Sequence, residues 1–410
     1  MNFRLSRRLR HGGLSSVTRR FAEILAGYGF SEGKFEGKLS EYQSVLEKHG
    51  VHASFAATAI AVARNPQVFK RLAGDGVELM VQAYRHIDYS RITEEKQRED
   101  VEKSVKVFKD YGLDFTGFRA PYLKYSPKTH GILKNYFKYN SGERFLWECA
   151  LPIKHKVNSE SFISVPYYRS NLLEIPVSLP SDIWLLHRVG VKDQREISDI
   201  WINALECSHI RGELFTLQLH PENIMRCHEA LDALLSFAEG KAPPVWISRL
   251  SDVADWWVRR EKYSLSFDGA GMQVSCDCGD DATVVVKDLE AAGSKNWFAD
   301  LKTVEARKFK VKKNPAVGVA PAASEELKKF LSTEGFIVEE STAKNDYGLY
   351  FEAGEFTEED KLSILREIGS SGKPYARLWR WPNANRSALS ISGDIDCVTL
   401  WDYVLRVLGK

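Results

Sequence analysis

The chain has 410 residues, 44% hydrophobic and 27% charged. That is room for two or three domains, or one barrel plus an accessory part, and it excludes a mainly disordered chain, a collagen-like fibre and a small disulfide scaffold. Lys+Arg (57) and Asp+Glu (55) nearly cancel, and a net charge of +2 leaves no large field for nucleic acid.

At the amino end, MNFRLSRRLRHGG is basic through Arg4, Arg7, Arg8 and Arg10, but it lacks the apolar stretch of about 7–15 residues of a signal peptide. The most apolar window, Ala53 to Ala63, falls short of the ~20 apolar residues a bilayer crossing needs, so no transmembrane segment is expected. Six cysteines, four of them isolated, point to a reducing compartment, and the expected location is the cytoplasm.

Leu14 to Tyr28 and Phe35 to Lys48 carry helical patterns, the second closed by Gly50. Val51–Ala57 is a strand candidate, Pro66–Ala73 a helix and Val77–Gln82 the next strand. Thr93 suits a helix cap, because Glu94 and Glu95 fall in the first turn and Val101, Val105 and Phe108 recur at helical spacing. Strand Phe115–Arg119, helix Pro127–Leu133 and strand Phe137–Ser141 follow; Leu172–Leu179, Leu214–His220 and Val245–Ile247 continue the series, with an amphipathic helix over His228–Ala238. Strands alternating with helices predict βαβ units and a parallel sheet, and about seven units in ~250 residues fit a (β/α) barrel. No GxGxxG or P-loop pattern follows the first strand.

After Trp256 and Trp257, which read with Trp246 as core and barrel-closing aromatics, the texture changes. Tyr263–Val286 alternates apolar and polar residues, an antiparallel β pattern. Within it Cys276 and Cys278 share one strand face, and Lys308, Lys310, Lys312 and Lys313 read as a solvated face. Asn314–Ser324 reads as a linker. Helix Glu325–Phe330, strand Tyr347–Phe351 and helix Glu358–Ile368 form a small α+β unit, and from Arg377 the chain turns apolar again.

Four groups fall at the carboxyl ends of separate strands, where a barrel places its chemistry. They are QAYRH, with Gln82 and His86; RAPY, with Arg119 and Tyr122; LQLH, with His220; and GDID, with Asp394 and Asp396 after the strand Ala388–Ser392. In this order and spacing, these motifs resemble the signature of the NodB-homology polysaccharide deacetylases (carbohydrate esterase family 4), whose fold is a (β/α)7-type deformed TIM barrel. From roughly Phe35 to Trp257 the chain follows the family's order, including VHASFAATA and the NSG of Asn140–Gly142.

Two departures stand out. The family's paired aspartates usually open the domain, yet the first aspartate of this chain is Asp75. Asp394 and Asp396 are the strand-ending pair that matches, which implies a circular permutation in which the C-terminal strand and helix close the barrel. Two arrangements stay open beside it: GDID belonging to the accessory unit, and a first strand swapped in from a second chain. The expected division is a barrel over 1–258, a β-rich module over 259–320, a small α+β unit over 321–385 and the closing strand and helix over 386–410. The second departure is Gln82, which stands where the family's first metal-binding histidine would be. An amide oxygen is a weaker zinc ligand than imidazole.

The resemblance implies a divalent metal, zinc in most of the family, held by Asp396, His86 and, weakly, Gln82. It also implies Asp394 as general base, Arg119 orienting it, the Tyr122 backbone N–H at the oxyanion and His220 as general acid. Trp147 is a candidate sugar-stacking wall, and Asp182 and Trp184 candidate groove residues. His49, His52, His130, His155 and His209 show no ligand spacing and read as structural or surface residues. The implied activity is hydrolysis of an N-acetyl group on a sugar or oligosaccharide in glycan metabolism, with no nucleic-acid partner and a homo-oligomer open. Without a signal peptide, a mature wall polymer is disfavoured as substrate. The competing reading is a catalytically impaired glycan-binding or assembly protein, favoured by Gln82.

Overall fold

The computed structural model describes residues 27–147 and 163–408. Most of the helix expected over Leu14–Tyr28, up to residue 26, lies outside them, as does His155.

Ten short strands precede the accessory region: β1 (Ser54–Ala57), β2 (Glu78–Val81), β3 (Gly117–Phe118), β4 (Tyr139–Asn140), β5 (Arg144–Leu146), β6 (Tyr167–Arg169), β7 (Leu172–Glu174), β8 (Val177–Leu179), β9 (Leu214–Gln218) and β10 (Val245–Ile247). β1, β2, β3, β4 and β7 pair parallel in that order, β6 adds antiparallel to β7, and β5 pairs with β8. Helices Gly33–Lys48, Pro66–Gly74, Glu94–Asp110, Gln194–Arg211 and His228–Glu239 lie before β1 or between the strands. Thr93 caps the third of these by accepting from the Lys96 N–H. Together the curled sheet and its helices make a deformed (β/α)7 barrel with an extra region.

The strand run expected over Leu172–Leu179 splits in two, because the chain leaves one sheet after Glu174 and joins β5 from Val177.

The first strand position is filled from the far end of the sequence. The C-terminal strand, Ser387–Ile395, runs parallel to β9 along one edge and to β10 and then β1 along the other, with Asp394 opposite Ala56 and Ser392 opposite Gln218. All nine of its residues are buried. Its small side chains (Ser387, Ala388, Ser390, Ser392, Gly393) let the neighbouring strands close in. A Cβ on Gly393 would lie 2.2 Å from the backbone oxygen of Leu219. GDID therefore belongs to the barrel sheet of this same chain, not to the accessory unit.

The accessory region docks at the end of the barrel opposite the strand carboxyl ends. Strands Ser264–Asp268, Gln273–Asp277 and Lys308–Lys310 form one antiparallel sheet, and Val284–Lys287 sits in a second between Leu301–Val304 and Tyr375–Leu378. Phe309 is buried while Lys308 and Lys310 face solvent. Cys276 and Cys278, read as neighbours on a strand face, are joined by a disulfide. The stretch read as a linker is instead core: Val317–Val319 is the central strand of a parallel sheet between Val338–Glu340 and Leu349–Phe351. Pro, Ala and Gly disguised it, but Gly318 is what lets Tyr347 and Tyr350 lie over the strand. Trp256 and Trp257 are buried, Trp257 against Trp381 and Trp256 against Tyr263, and the Trp256 Nε1–H donates to the Arg380 carbonyl (2.7 Å), so these aromatics seal the barrel to the insert.

Replacing Gly393 by Ala drives a methyl into backbone held by two strands, and overpacking of this kind costs about 1–3 kcal/mol. Thermal melting should show a clearly lowered midpoint for Gly393→Ala and none for Gly354→Ala, whose Cβ meets open space.

Candidate active site

Residues from four strand ends converge. Arg119, fully buried after β3, donates through Nη1 to Asp394 Oδ1 (3.0 Å) and is aimed by Ser392 Oγ, Ser141 Oγ and the Ser141 carbonyl. The other oxygen of Asp394 accepts from Gln82 Nε2 and Gln218 Nε2, both at 2.9 Å. His220, two residues beyond β9, brings Nε2 to 3.8 Å from that oxygen. Its Nδ1 lies 2.9 Å from Asp182 Oδ1, while Asp182 Oδ2 accepts from the His220 N–H and from Asn223 Nδ2. Asp396 has one oxygen on Arg406 Nη1 and 3.5 Å from His86 Nε2. The His86 ring stands edge-on to Tyr122 at 4.2 Å, an approach made by a left-handed backbone at Tyr122 (φ +62°).

The charges divide into couples. Burial alone would depress the His220 imidazole, but the charge and hydrogen bond of Asp182, with Glu222 and Asp394 adding, raise it to about 10, so it is a cation at neutral pH. Burial likewise opposes ionisation of Asp182, and His220 outweighs it, holding that carboxyl below its ordinary value. Burial pushes His86 down to about 4 despite Asp396, so its ring is neutral at pH 7.

The sequence-expected residues separate here. Asp394, Arg119, His220, Gln82, Asp396, His86 and Tyr122 come together. Trp147 does not face a sugar groove: it is buried, donates to Ser178 Oγ (3.1 Å) and packs on Phe145 at 4.7 Å. Asp182 lines no groove either; it is fully buried and anchors His220. Trp184 is half-buried against the core. His49, His130 and His209 pair with Asp232 and Glu239, with Glu174 and with Ser387, away from the site. Gln218, Ser392 and Arg406 were missed. Period-two alternation puts Gln218 on the face of His220 and Ser392 on that of Asp394, so two of the three were readable. The larger groove, lined by His52, Trp246, Arg249 and Asp252, lies at the opposite end and holds none of these residues.

The residues present do not fit the zinc ion that the family resemblance implies. Asp396 and His86 are two ligands, and among the described residues no three His, Cys, Asp or Glu side chains group to hold a metal. Gln82 has turned its amide nitrogen to Asp394, and the Arg406 guanidinium already neutralises Asp396. A dication on that carboxylate would meet the like charge of the guanidinium already bonded to it.

Residues 26–137 match the model of the polysaccharide deacetylase family. Over that segment the chain is similar to the polysaccharide deacetylases. A curated relative, the uncharacterized 30.6 kDa protein in the fumA 3' region of Geobacillus stearothermophilus, is 28% identical over 179 residues. The match covers 43% of this chain and 64% of that relative's length. Among solved structures, the probable polysaccharide deacetylase of Pseudomonas aeruginosa PAO1 is 20% identical over 54% of this chain and 73% of its own, with a TM-score of 0.46. A CE4 family pseudoenzyme from Bacillus anthracis is 14% identical over 53% of this chain and 61% of its own, with a TM-score of 0.35. Among the described residues no helix is long and apolar enough to cross a membrane.

The raised value of His220 sets a pH dependence. Because the folded value lies above the ordinary 6.5, its ion pair stabilises the fold fully below about pH 6.5, and that contribution is lost as pH rises through about 10. NMR titration should find His220 protonated at pH 8. In Asp182→Asn, with burial unopposed by that charge, its pKa should fall by several units.

Proposed function

We propose that this chain hydrolyses the N-acetyl group of a sugar or oligosaccharide, with Asp394 and His220 as its base and acid. The observation that carries this reading is the facing of two held groups, a carboxylate fixed by Arg119 and an imidazolium fixed by Asp182, 3.8 Å apart. Asp394 takes a proton from water as its oxygen bonds to the acetyl carbon. His220 gives its Nε2 proton to the amine as the C–N bond breaks, leaving acetate and a free amino sugar. Arg119 holds Asp394 in place through its Nη1, and the Tyr122 backbone N–H, in the left-handed turn after RAP, serves the oxyanion. The strand order, with GDID last in sequence but first in the barrel, is in this reading a circular permutation of the family's arrangement.

One observation favours a second reading, glycan binding without turnover. Gln82 and Gln218 both donate to the outer oxygen of Asp394, so water gains the base only by displacing an amide.

Acetate release from N-acetylated chito-oligosaccharides, measured beside calorimetric binding of the same sugars, separates the two. Asp394→Asn and His220→Ala should each lower turnover by at least ~10²-fold. The alkaline limb of the wild-type rate should lie near pH 10 and move to lower pH in Asp182→Asn. Undiminished activity in either catalytic variant overturns the assignment, and binding with no acetate released establishes the second reading.

A further inference from the structure

We infer that the guanidinium of Arg406 is the built-in cation of this site and that the site takes no divalent metal. The inference deepens the hydrolytic reading and rests on it for the identity of the site, but it stands on its own geometry.

Arg406 reaches Asp396 because the final helix, Leu400–Val407, is aimed. Asp402 accepts from the Thr399 N–H, the Thr399 hydroxyl and the Val398 N–H, and across the barrel mouth from Asn65 Nδ2 (3.0 Å). Arg64 adds an ion pair to the same carboxylate at 3.4 Å. Arg406 lies four residues on, one turn along the same helix face, and so it is delivered to the mouth with little freedom. There Nη1 binds Asp396 Oδ2, in a pocket lined by Thr58, Arg64, His86 and Asp402. The same short C-terminal segment supplies both the carboxylate and the charge that satisfies it.

The second observation is independent of Arg406. Gln82 is fully buried and spends its amide nitrogen on Asp394, which leaves its Oε1 without a partner among the described residues. Asp396 Oδ1 and His86 Nδ1 are likewise buried and unpartnered. With Gln82 Oε1 and Asp396 Oδ1 unpartnered and Asp396 already paired to a cation, this lining is short of hydrogen-bond donors, not of positive charge. It suits a ligand bearing hydroxyl or amide N–H groups, which is what an acetamido sugar presents.

The test is metal binding by the full chain, read apart from activity. Chelator-stripped wild type is titrated calorimetrically with ZnCl2, CoCl2 or MnCl2, and cobalt coordination is followed by visible absorption. The wild type should show no stoichiometric site up to about 1 mM, whereas Gln82→His/Arg406→Ala should take one ion per chain at least ~100-fold more tightly, with a cobalt band. One ion per chain on the wild type, lost in Asp396→Ala, overturns the inference. So does a folded double variant, checked by circular dichroism, that gains no metal. If the double variant does not fold, the wild-type titration alone decides. A chain that releases acetate but binds zinc keeps the proposed function and loses this inference; one that binds neither zinc nor sugar does the reverse.

Discussion

The structure depends on one strand insertion. A sheet edge exposes backbone N–H and C=O groups that must be paired, and a barrel has no edge to spare. Here the slot between β9 and β1 is filled by Ser387–Ile395, nine buried residues from the far end of the chain. The same pairing that closes the sheet sets Asp394 opposite Ala56 and delivers it to Arg119. The accessory region is the bridge that makes this reach possible. Glu334, drawn to about 2 by Arg380, Arg377 and Arg260 against the cost of burial, ties the approach to the last strand onto the barrel floor. Arg380 in turn donates to the carbonyls of Arg211 and Gly212 just before β9.

At the other end of the barrel, three carboxylates each have their own cation: Asp394 with Arg119, Asp182 with His220, and Asp396 with Arg406. Burying a charge without a partner costs several kcal/mol, so such pairing is the condition for placing all three in one small volume. It also fixes the chemistry on offer. A cation at His220 is a proton donor, and the Arg406 guanidinium leaves Asp396 already paired.

Much of the fold was legible because local signals and tertiary demands agreed. The alternation of buried four- and five-residue strands with amphipathic helices appears in the apolar runs, and Thr93 caps the helix its neighbours announce. Legibility failed where residue type and environment diverge. Asn314–Ser324 has the composition of a connector, yet Val317 and Val319 are fully buried because small flanking residues let a sheet form there. Trp147 and Asp182 follow strands as the site residues do, and only three-dimensional packing shows one to be core and the other to stand behind His220. Arg406 carries no motif at all. Its role comes from a helix orientation set by Asp402 and Asn65, residues 337 positions apart.

The position of the GDID strand also has a consequence for biosynthesis. A ribosome makes β1 and β9 long before residue 387, so the nascent barrel holds two bare strand edges facing an empty slot while the whole insert emerges. Such edges are templates for pairing with other chains. The order of synthesis therefore makes this cluster of paired charges the last part of the molecule to assemble: until Ile395 is in register, Arg119 and His220 stand without the aspartate that both approach.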